Sequence, residues 1–259
     1  MGEDIVSEIM REYLQQLAAK GTRIDGRKHD EYRQIEIKKN VISSAEGSAQ
    51  VSIGNTSVLV GVKIELGEPF PDTPNVGVLT TNAELIPLAS PTFEAGPPNE
   101  EGIELARVVD RGLREGHVID LEKLCVAPGE KVWIVFVDIH VLDYDGNLFD
   151  AAYLASLAAL TCTKVPASAH GMGEDFPLPL NGLPIECTVV KIKDTLMIDP
   201  ALDEEKIADA RLTMAIDENG NIRAVQKGLS GSFSVEEVKK VISMCQVSSS
   251  KLREILKSS

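Results

Sequence analysis

Positive charge is scarce in this 259-residue sequence: 26 Lys and Arg stand against 40 Asp and Glu, a formal charge of −14. A protein that coats nucleic acid gains affinity by neutralising phosphates with Lys and Arg, and the summed field here excludes one. Any contact with RNA or DNA must be local or supplied by a partner. Cysteine is also sparse. Cys125, Cys162, Cys187 and Cys245 are at least 25 residues apart, with no C-x-x-C pair and no Cys/His cluster of zinc-finger spacing. Reduced, buried thiols are expected. Long apolar runs are missing: the densest, Val132 to Val137, falls far short of the roughly 18 residues of a membrane helix. The opening MGEDIVSEIM carries acids where a secretory signal needs a basic and then an apolar segment. A soluble cytoplasmic protein that touches no membrane is expected. Also absent are a Walker or Rossmann glycine pattern, a G-x-S-x-G elbow and an i, i+4 histidine pair, since His29, His117, His140 and His170 are scattered. Neither a metal nor a cofactor is expected.

What is present is an ordinary globular composition, 43% apolar and 25% charged, in a chain long enough for one or two domains. Ile5, Val6, Ile9, Met10, Tyr13, Leu14 and Leu17 recur at helical intervals over residues 3–19, ending at Lys20-Gly21. Ile35 and Ile37 alternate with polar neighbours. Val51 and Ile53 lead through Gly54-Asn55-Thr56 into Val58, Val60, Val62, Ile64 and Leu66 at period two, a β-hairpin. Residues 67–98 hold seven of the 13 prolines. They read as a long excursion with one short strand near Val76 to Leu85, because each proline removes a donor and fixes φ. The helical period returns from Glu100 to Glu115 with Leu105, Val108, Val109 and Gly112 on one side. Lys131 to Leu142 reads as a strand buried on both faces, and the Ala-rich segment from Asp150 to about Thr163 as a closely packed helix.

Past a Pro/Gly-rich link, Ile185 to Lys193 pairs with Thr195 to Asp199, and Arg211 to Ile216 with Ile222 to Lys227 across Glu218-Asn219-Gly220-Asn221. Ser234 with Glu237 is a capping box that opens a helix to about Met244, with more helix from Ser249 to Leu256. The expected architecture is α+β: an N-terminal helix (1–20), a first β-rich unit (21–165), a link (166–184) and a second unit (185–259), with helices packed on both sheets.

Three features could carry chemistry. Arg107, Arg111 and Arg114 fall within roughly a 60° arc of one helix. Guanidiniums so placed can grip successive phosphates, or pair with Glu101, Glu104, Asp110, Glu115 and Asp120 on a solvated face. Asp199, Asp203, Glu204, Glu205 and Asp209 could share acid/base work or hold a cation, or could be a solvated helix start. Gly228-Leu229-Ser230-Gly231-Ser232 precedes a helix, and a plain turn explains it.

An ordered set of strings goes further. Arg23-Ile24-Asp25-Gly26-Arg27, then Gly47-Ser48-Ala49 through Gly54-Asn55-Thr56, then E-L-A-R-V-V-D-R-G-L-R from Glu104 to Arg114 resemble the RNase PH family over about residues 22 to 245. The resemblance implies two RNase PH-like units of the ribosomal protein S5 domain 2-like fold. It also implies RNA degradation from the 3′ end by phosphorolysis, in which inorganic phosphate attacks the last linkage. The N-terminal helix, the D-P-A-L-D-E-E-K segment from Asp199 and the A-D-A-R segment from Ala208 look most similar to an archaeal exosome member that pairs with a catalytic RNase PH-like partner.

Active members carry a D-G-G-T/S-R-type loop whose backbone N–H groups, hydroxyl and arginine hold the attacking phosphate. The matching stretch here is Asp145-Gly146-Asn147-Leu148-Phe149-Asp150, with apolar residues at the hydroxyl and arginine positions and a carboxylate beside them. At about 4 Å a like charge costs roughly 1 kcal/mol in water and several in a partly buried site, so Asn147, Leu148, Phe149 and Asp150 are expected to bind no phosphate. Asp203 and Asp209 are spaced like the family's catalytic carboxylate pair and are expected to be relics. The resemblance implies that Arg107 and Arg111, with Arg114 on the same edge or at a subunit interface, reach RNA held by the partner. A non-catalytic subunit is therefore expected, in a ring of three heterodimers that threads single-stranded RNA and carries RNA-binding cap proteins. Half of the first hairpin and the Pro-rich excursion are expected at its interfaces. The rivals are a self-sufficient phosphorolytic exoribonuclease, which the 147–150 loop argues against, and a small-molecule kinase, which lacks its glycine-rich loop.

Overall fold

The structure, a computed structural model, describes residues 8–259; the first turn of the expected N-terminal helix lies outside the described residues. In chain order the elements are α1 (Glu8–Ala19), β1 (Ile35–Lys39), β2 (Gly47–Ile53), β3 (Thr56–Gly67), β4 (Val78–Leu85), α2 (Glu100–Glu115), β5 (Cys125–Ala127), β6 (Lys131–Asp143) and α3 (Leu148–Cys162). They continue as β7 (Lys164–Val165), β8 (Phe176–Pro177), β9 (Ile185–Ile192), β10 (Thr195–Ile198), α4 (Leu202–Ile207), β11 (Ala210–Ile216), β12 (Ile222–Gly228) and α5 (Val235–Ser258).

Two sheets organise the molecule. The first runs β1-β2-β3-β6-β4, with β5 added against β6. Its pairs are antiparallel except β4 with β6, which run parallel. A parallel pair cannot be closed by a tight turn, and the part of the Pro-rich excursion after Leu85, together with α2 and β5, supplies the long connection from β4 to β6. The second sheet, β10-β9-β11-β12, is wholly antiparallel. Residues of β2, β3 and β6, of α2, α3 and α5, and of β9 and β11 form one continuous apolar cluster. The Ala-rich α3 is buried without a break from Leu148 to Leu160, since small side chains let both sheets approach it. At Gly47 a Cβ would overlap Thr163 Oγ1 and stand 2.7 Å from the Ala159 carbonyl, so only glycine lets β2 pass the end of α3.

Two expectations change. The strand expected to be buried on both faces, β6, alternates instead: Trp133, Val135, Val137, Ile139 and Val141 are buried while Ile134, Phe136, Asp138, His140 and Leu142 are only half-buried. Helices cover one side of this sheet, and the apolar run reflects length and β-propensity as much as two-sided burial. The last two helical segments are one uninterrupted α5; Gln246, Ser248 and Ser249 do not break it because Val241, Cys245, Leu252 and Leu256 keep one buried stripe through them. α1 docks against the second sheet, with Leu14 and Ala18 packing on Val190, Ile192, Met197 and Ile207.

Candidate functional site

The turn before α3 is where a loop binding an anion at a helix N-terminus would lie, and here the chain's own carboxylates take the donors of Asn147. Gly146 (φ +87°) lies so close to the start of α4 that a Cβ would stand 2.5 Å from the Pro200 carbonyl and 2.6 Å from the Leu202 nitrogen. Asn147 is left-handed (φ 56°, ψ 50°). Its backbone N–H donates to Glu205 Oε2 (3.3 Å), and its side-chain Nδ2 donates to Asp150 Oδ2 (2.9 Å) and Asp199 Oδ1 (2.8 Å). Asp150 faces inward. Its Oδ2 also accepts from the Tyr32 hydroxyl (2.7 Å) and the Thr188 N–H of β9 (3.1 Å), while Oδ1 has no partner. Burial pushes its pKa from 3.8 up to about 6 despite those three donors.

Leu148 and Phe149 are buried. The Phe149 ring carries the Arg211 guanidinium 4.1 Å from its centroid, and Arg211 Nη2 pairs with Glu104 Oε1 of α2 at 2.5 Å. A cavity of about 300 Å³ remains beside them, floored by Leu105, Leu148 and Phe149 and rimmed by Glu101, Glu104 and Glu205 against Lys206 and Arg211. The Arg211 guanidinium within it is paired with Glu104 through Nη2 while its buried Nε has no partner, and carboxylates make up most of the charged rim.

Of the acidic set Asp199, Asp203, Glu204, Glu205 and Asp209, the resemblance singles out Asp203 and Asp209. The structure does not bring either into this cavity. Asp203 is half-buried on α4. Asp209 is exposed, and its Oδ2 accepts the Lys193 N–H at 2.6 Å in the β9–β10 turn. The α4 carboxylate that reaches the α3 turn is Glu205, which also accepts the Tyr144 hydroxyl at 2.9 Å. Its neighbour Glu204 is buried and receives Arg23 Nε at 2.9 Å, with Arg23 Nη2 on its other oxygen. Asp199, fully buried, takes Arg33 through Nε (2.9 Å) and Nη2 (2.8 Å), and Arg27 through Nη1 (2.8 Å). Burial alone would raise the Asp199 carboxyl, but the Arg33 hydrogen bonds and charge outweigh it and hold it below the ordinary range. The R-x-D-G-R string is thus a clamp that ties residues 23–33 to the 198–205 segment. Its partners are about 170 residues away, and no local signal exposes them. Among the described residues no group of three or more His, Cys, Asp or Glu is placed to hold a metal. The Gly228–Ser232 stretch is the end of β12 and the bend that follows it, and α5 is capped by Ser234, whose Oγ accepts the Glu237 N–H.

The three α2 arginines are all exposed on one side of the helix, as their spacing requires. Their partners differ. Arg107 makes no hydrogen bond or ion pair among the described residues. Arg111 Nη1 donates to Gln226 Oε1 of β12 at 2.8 Å. Arg114 is anchored, its Nε on Asp110 Oδ2 at 2.6 Å and its Nη2 on the Leu79 carbonyl of β4. Of the acids that could have paired with the set, only Asp110 does; Glu104 holds Arg211, and Asp120 holds Lys123.

Comparison with known proteins gives the chain its relatives. The models of the 3′ exoribonuclease family match residues 31–166 (domain 1) and 182–246 (domain 2). Exosome complex component Rrp42 of Methanocella arvoryzae is 54% identical over 99% of this chain and 98% of its own length. The protein of the same name from Thermoplasma acidophilum is 56% identical over 97% and 96%. A chain of the Archaeoglobus fulgidus exosome, solved with RNA bound to the active site, superposes with a TM-score of 0.93 at 50% identity, covering 95% of this chain and 97% of that one. No helix among the described residues is long and apolar enough to cross a membrane.

Proposed function

The chain belongs to the RNase PH family of 3′ exoribonucleases, and from that premise we propose that it is a non-catalytic subunit of an archaeal exosome, a 3′-to-5′ RNA-degrading ring. The observation that carries this reading is the α3 turn. Phosphorolysis needs a site that welcomes a free phosphate, and electrostatic attraction at that point supplies much of the catalysis. Here the backbone and side-chain donors of Asn147 are bonded to Asp150, Asp199 and Glu205, and the nearby guanidinium of Arg211 pairs with Glu104 over the Phe149 ring. An incoming phosphate would have to displace buried carboxylates whose own partners would then be left unpaired, at about 1–3 kcal/mol or more per group. Asp203 and Asp209 serve the fold in this reading. A general acid without a bound nucleophile makes no phosphorolase.

The partner is a catalytic RNase PH-like subunit, alternating with this chain in a ring of three heterodimers that carries RNA-binding cap proteins. The acidic surface suits more basic neighbours. Single-stranded RNA is met along α2 by Arg107, which has no partner among the described residues, and by Arg111, which has four guanidinium N–H donors left after Gln226 takes one. Arg114 keeps α2 registered on β4. Arginine forks onto phosphate oxygens without reading base identity, as an exonuclease tolerant of sequence requires. The test is direct. The purified chain, incubated with RNA and phosphate, is expected to release no nucleoside diphosphate. Release that survives rigorous removal of any partner contradicts the proposal. Arg107→Glu with Arg111→Glu is expected to lower the reconstituted ring's RNA affinity and flatten its salt dependence.

A further inference from the structure

We propose that Gln226 is a positioning residue that presents Arg111 to RNA; the inference rests on reading Arg111 as an RNA contact. α2 is tied to the second sheet at two points, two helical turns apart. At one, Glu104 holds Arg211, whose guanidinium lies so close to Gly228 that a Cβ there would stand 2.5 Å from Nη2. At the other, Gln226 Oε1 accepts Arg111 Nη1 at 2.8 Å. Arg107 lies between the two ties, exposed.

Gln226 is suited to this task by its own anchoring. It sits in the middle of β12, opposite Thr213 of β11 in register, on the half-buried face shared with Ala224 and Gly228. It is therefore carried by a sheet, where a loop would leave it loose. Beneath the pair lies Glu186 of β9, fully buried and with Oε2 unpartnered, and Arg111, Glu186, Thr213 and Gln226 line one narrow crevice between helix and sheet, too tight for a water. Burial pushes the Glu186 carboxyl well above its ordinary range, with Asp150 adding to the rise and Arg111 opposing it. That favours a neutral acid which does not compete for the guanidinium.

The chemistry of the tie decides what it does. A carboxylate at 226 would neutralise Arg111. The neutral amide oxygen fixes one N–H and leaves the full positive charge and four donors outward. An exposed arginine otherwise loses up to about 2 kcal/mol of rotamer freedom when it docks, and a side chain already held at Nη1 has lost part of that before RNA arrives.

The experiment uses the ring reconstituted with its RNase PH-like partner, with labelled single-stranded oligoadenylate as the probe, titrated over a range of salt concentrations. Gln226→Met keeps length and packing but removes the acceptor. It is expected to weaken binding about three- to tenfold, with the salt slope and the thermal midpoint unchanged. Gln226→Glu is expected to weaken binding and also to lower the slope by about 0.7, because an internal ion pair then replaces one arginine–phosphate pair. In an Arg111→Ala background, Gln226→Met is expected to have no further effect. The proposal is overturned if Gln226→Met binds like the parent while Arg111→Ala is weakened, or if Gln226→Met weakens binding equally with and without Arg111. If Arg111→Ala itself changes nothing, the RNA role of Arg111 fails first, which is a distinguishable result.

Discussion

Replacing Asp150 by Asn is expected to stabilise the protein at neutral pH, contrary to the usual outcome of altering a buried, hydrogen-bonded residue. Asp150 is 2% exposed, and its pKa rises from 3.8 to about 6. The folded chain therefore holds this proton more tightly than the unfolded chain, and stability from this group is complete below about pH 3.8 and declines as pH rises through about 6. A shift of that size corresponds to about 3 kcal/mol. An Asn side chain keeps an oxygen acceptor for Tyr32, Asn147 and Thr188, and places its amide where Asp150 Oδ1 now has no partner, beside an Asn147 whose Oδ1 is also unpartnered. An amide donor left unmatched would offset about 1–3 kcal/mol, so a net gain of about 1–2 kcal/mol is expected at pH 7. Urea unfolding of both proteins from pH 4 to pH 7.5 measures it. The difference between the two curves should grow through pH 4–6 and then level. Parallel curves, or a variant that loses ground as pH rises, would refute the assignment of a strained buried carboxylate.

Three further outcomes follow from the same geometry. Arg23→Ala strips the buried Glu204 carboxylate of its guanidinium and should cost about 3–5 kcal/mol by urea unfolding; a loss below about 1 kcal/mol would mean the clamp is dispensable. Gly112→Ala would drive a methyl into Glu186 Oε1 and within 2.5 Å of Tyr153 Cε2, so the gain in helix propensity should be outweighed by overpacking of about 1–3 kcal/mol; a raised thermal midpoint would count against the packing described. In the assembled ring, Arg107→Ala should reduce RNA affinity and lower the salt slope by about 0.7, while Arg114→Ala, which loses Asp110 and the Leu79 carbonyl, should lower the thermal midpoint and leave the slope alone; the reverse pattern would exchange their roles.

Elements with strong periodicity were legible in the sequence. The β2–β3 hairpin, α2 with its buried Leu105, Val108 and Val109, and the four strands of the second sheet stand where alternation and turn residues place them. Two-sided burial of β6 was misread, because an apolar strand looks the same whether or not a second layer covers it. The break expected in α5 did not occur, because Ser248 and Ser249 are tolerated inside a helix when their side chains are buried against neighbours. The 147–150 loop was visible as residue types, but not the contacts its side chains make. Those contacts depend on Arg23, Arg27, Arg33 and Tyr32 meeting Asp150, Asp199 and Glu204 across more than 100 residues of chain, and on Glu205, one of five neighbouring acids that spacing does not tell apart. The arginine edge was legible as an arc on a helix. Which member is free and which is anchored depends on β4 and β12, whose proximity to α2 no spacing reveals.

In the proposed ring this subunit contributes no phosphorolytic site of its own. The most direct test is phosphate-dependent release of nucleoside diphosphate from RNA by a ring in which this chain is intact and the RNase PH-like partner's phosphate loop has been disabled. Release indistinguishable from a control without phosphate is expected. Phosphate-dependent turnover by that ring, abolished by substituting Arg211 or Glu205 in this chain, would contradict it.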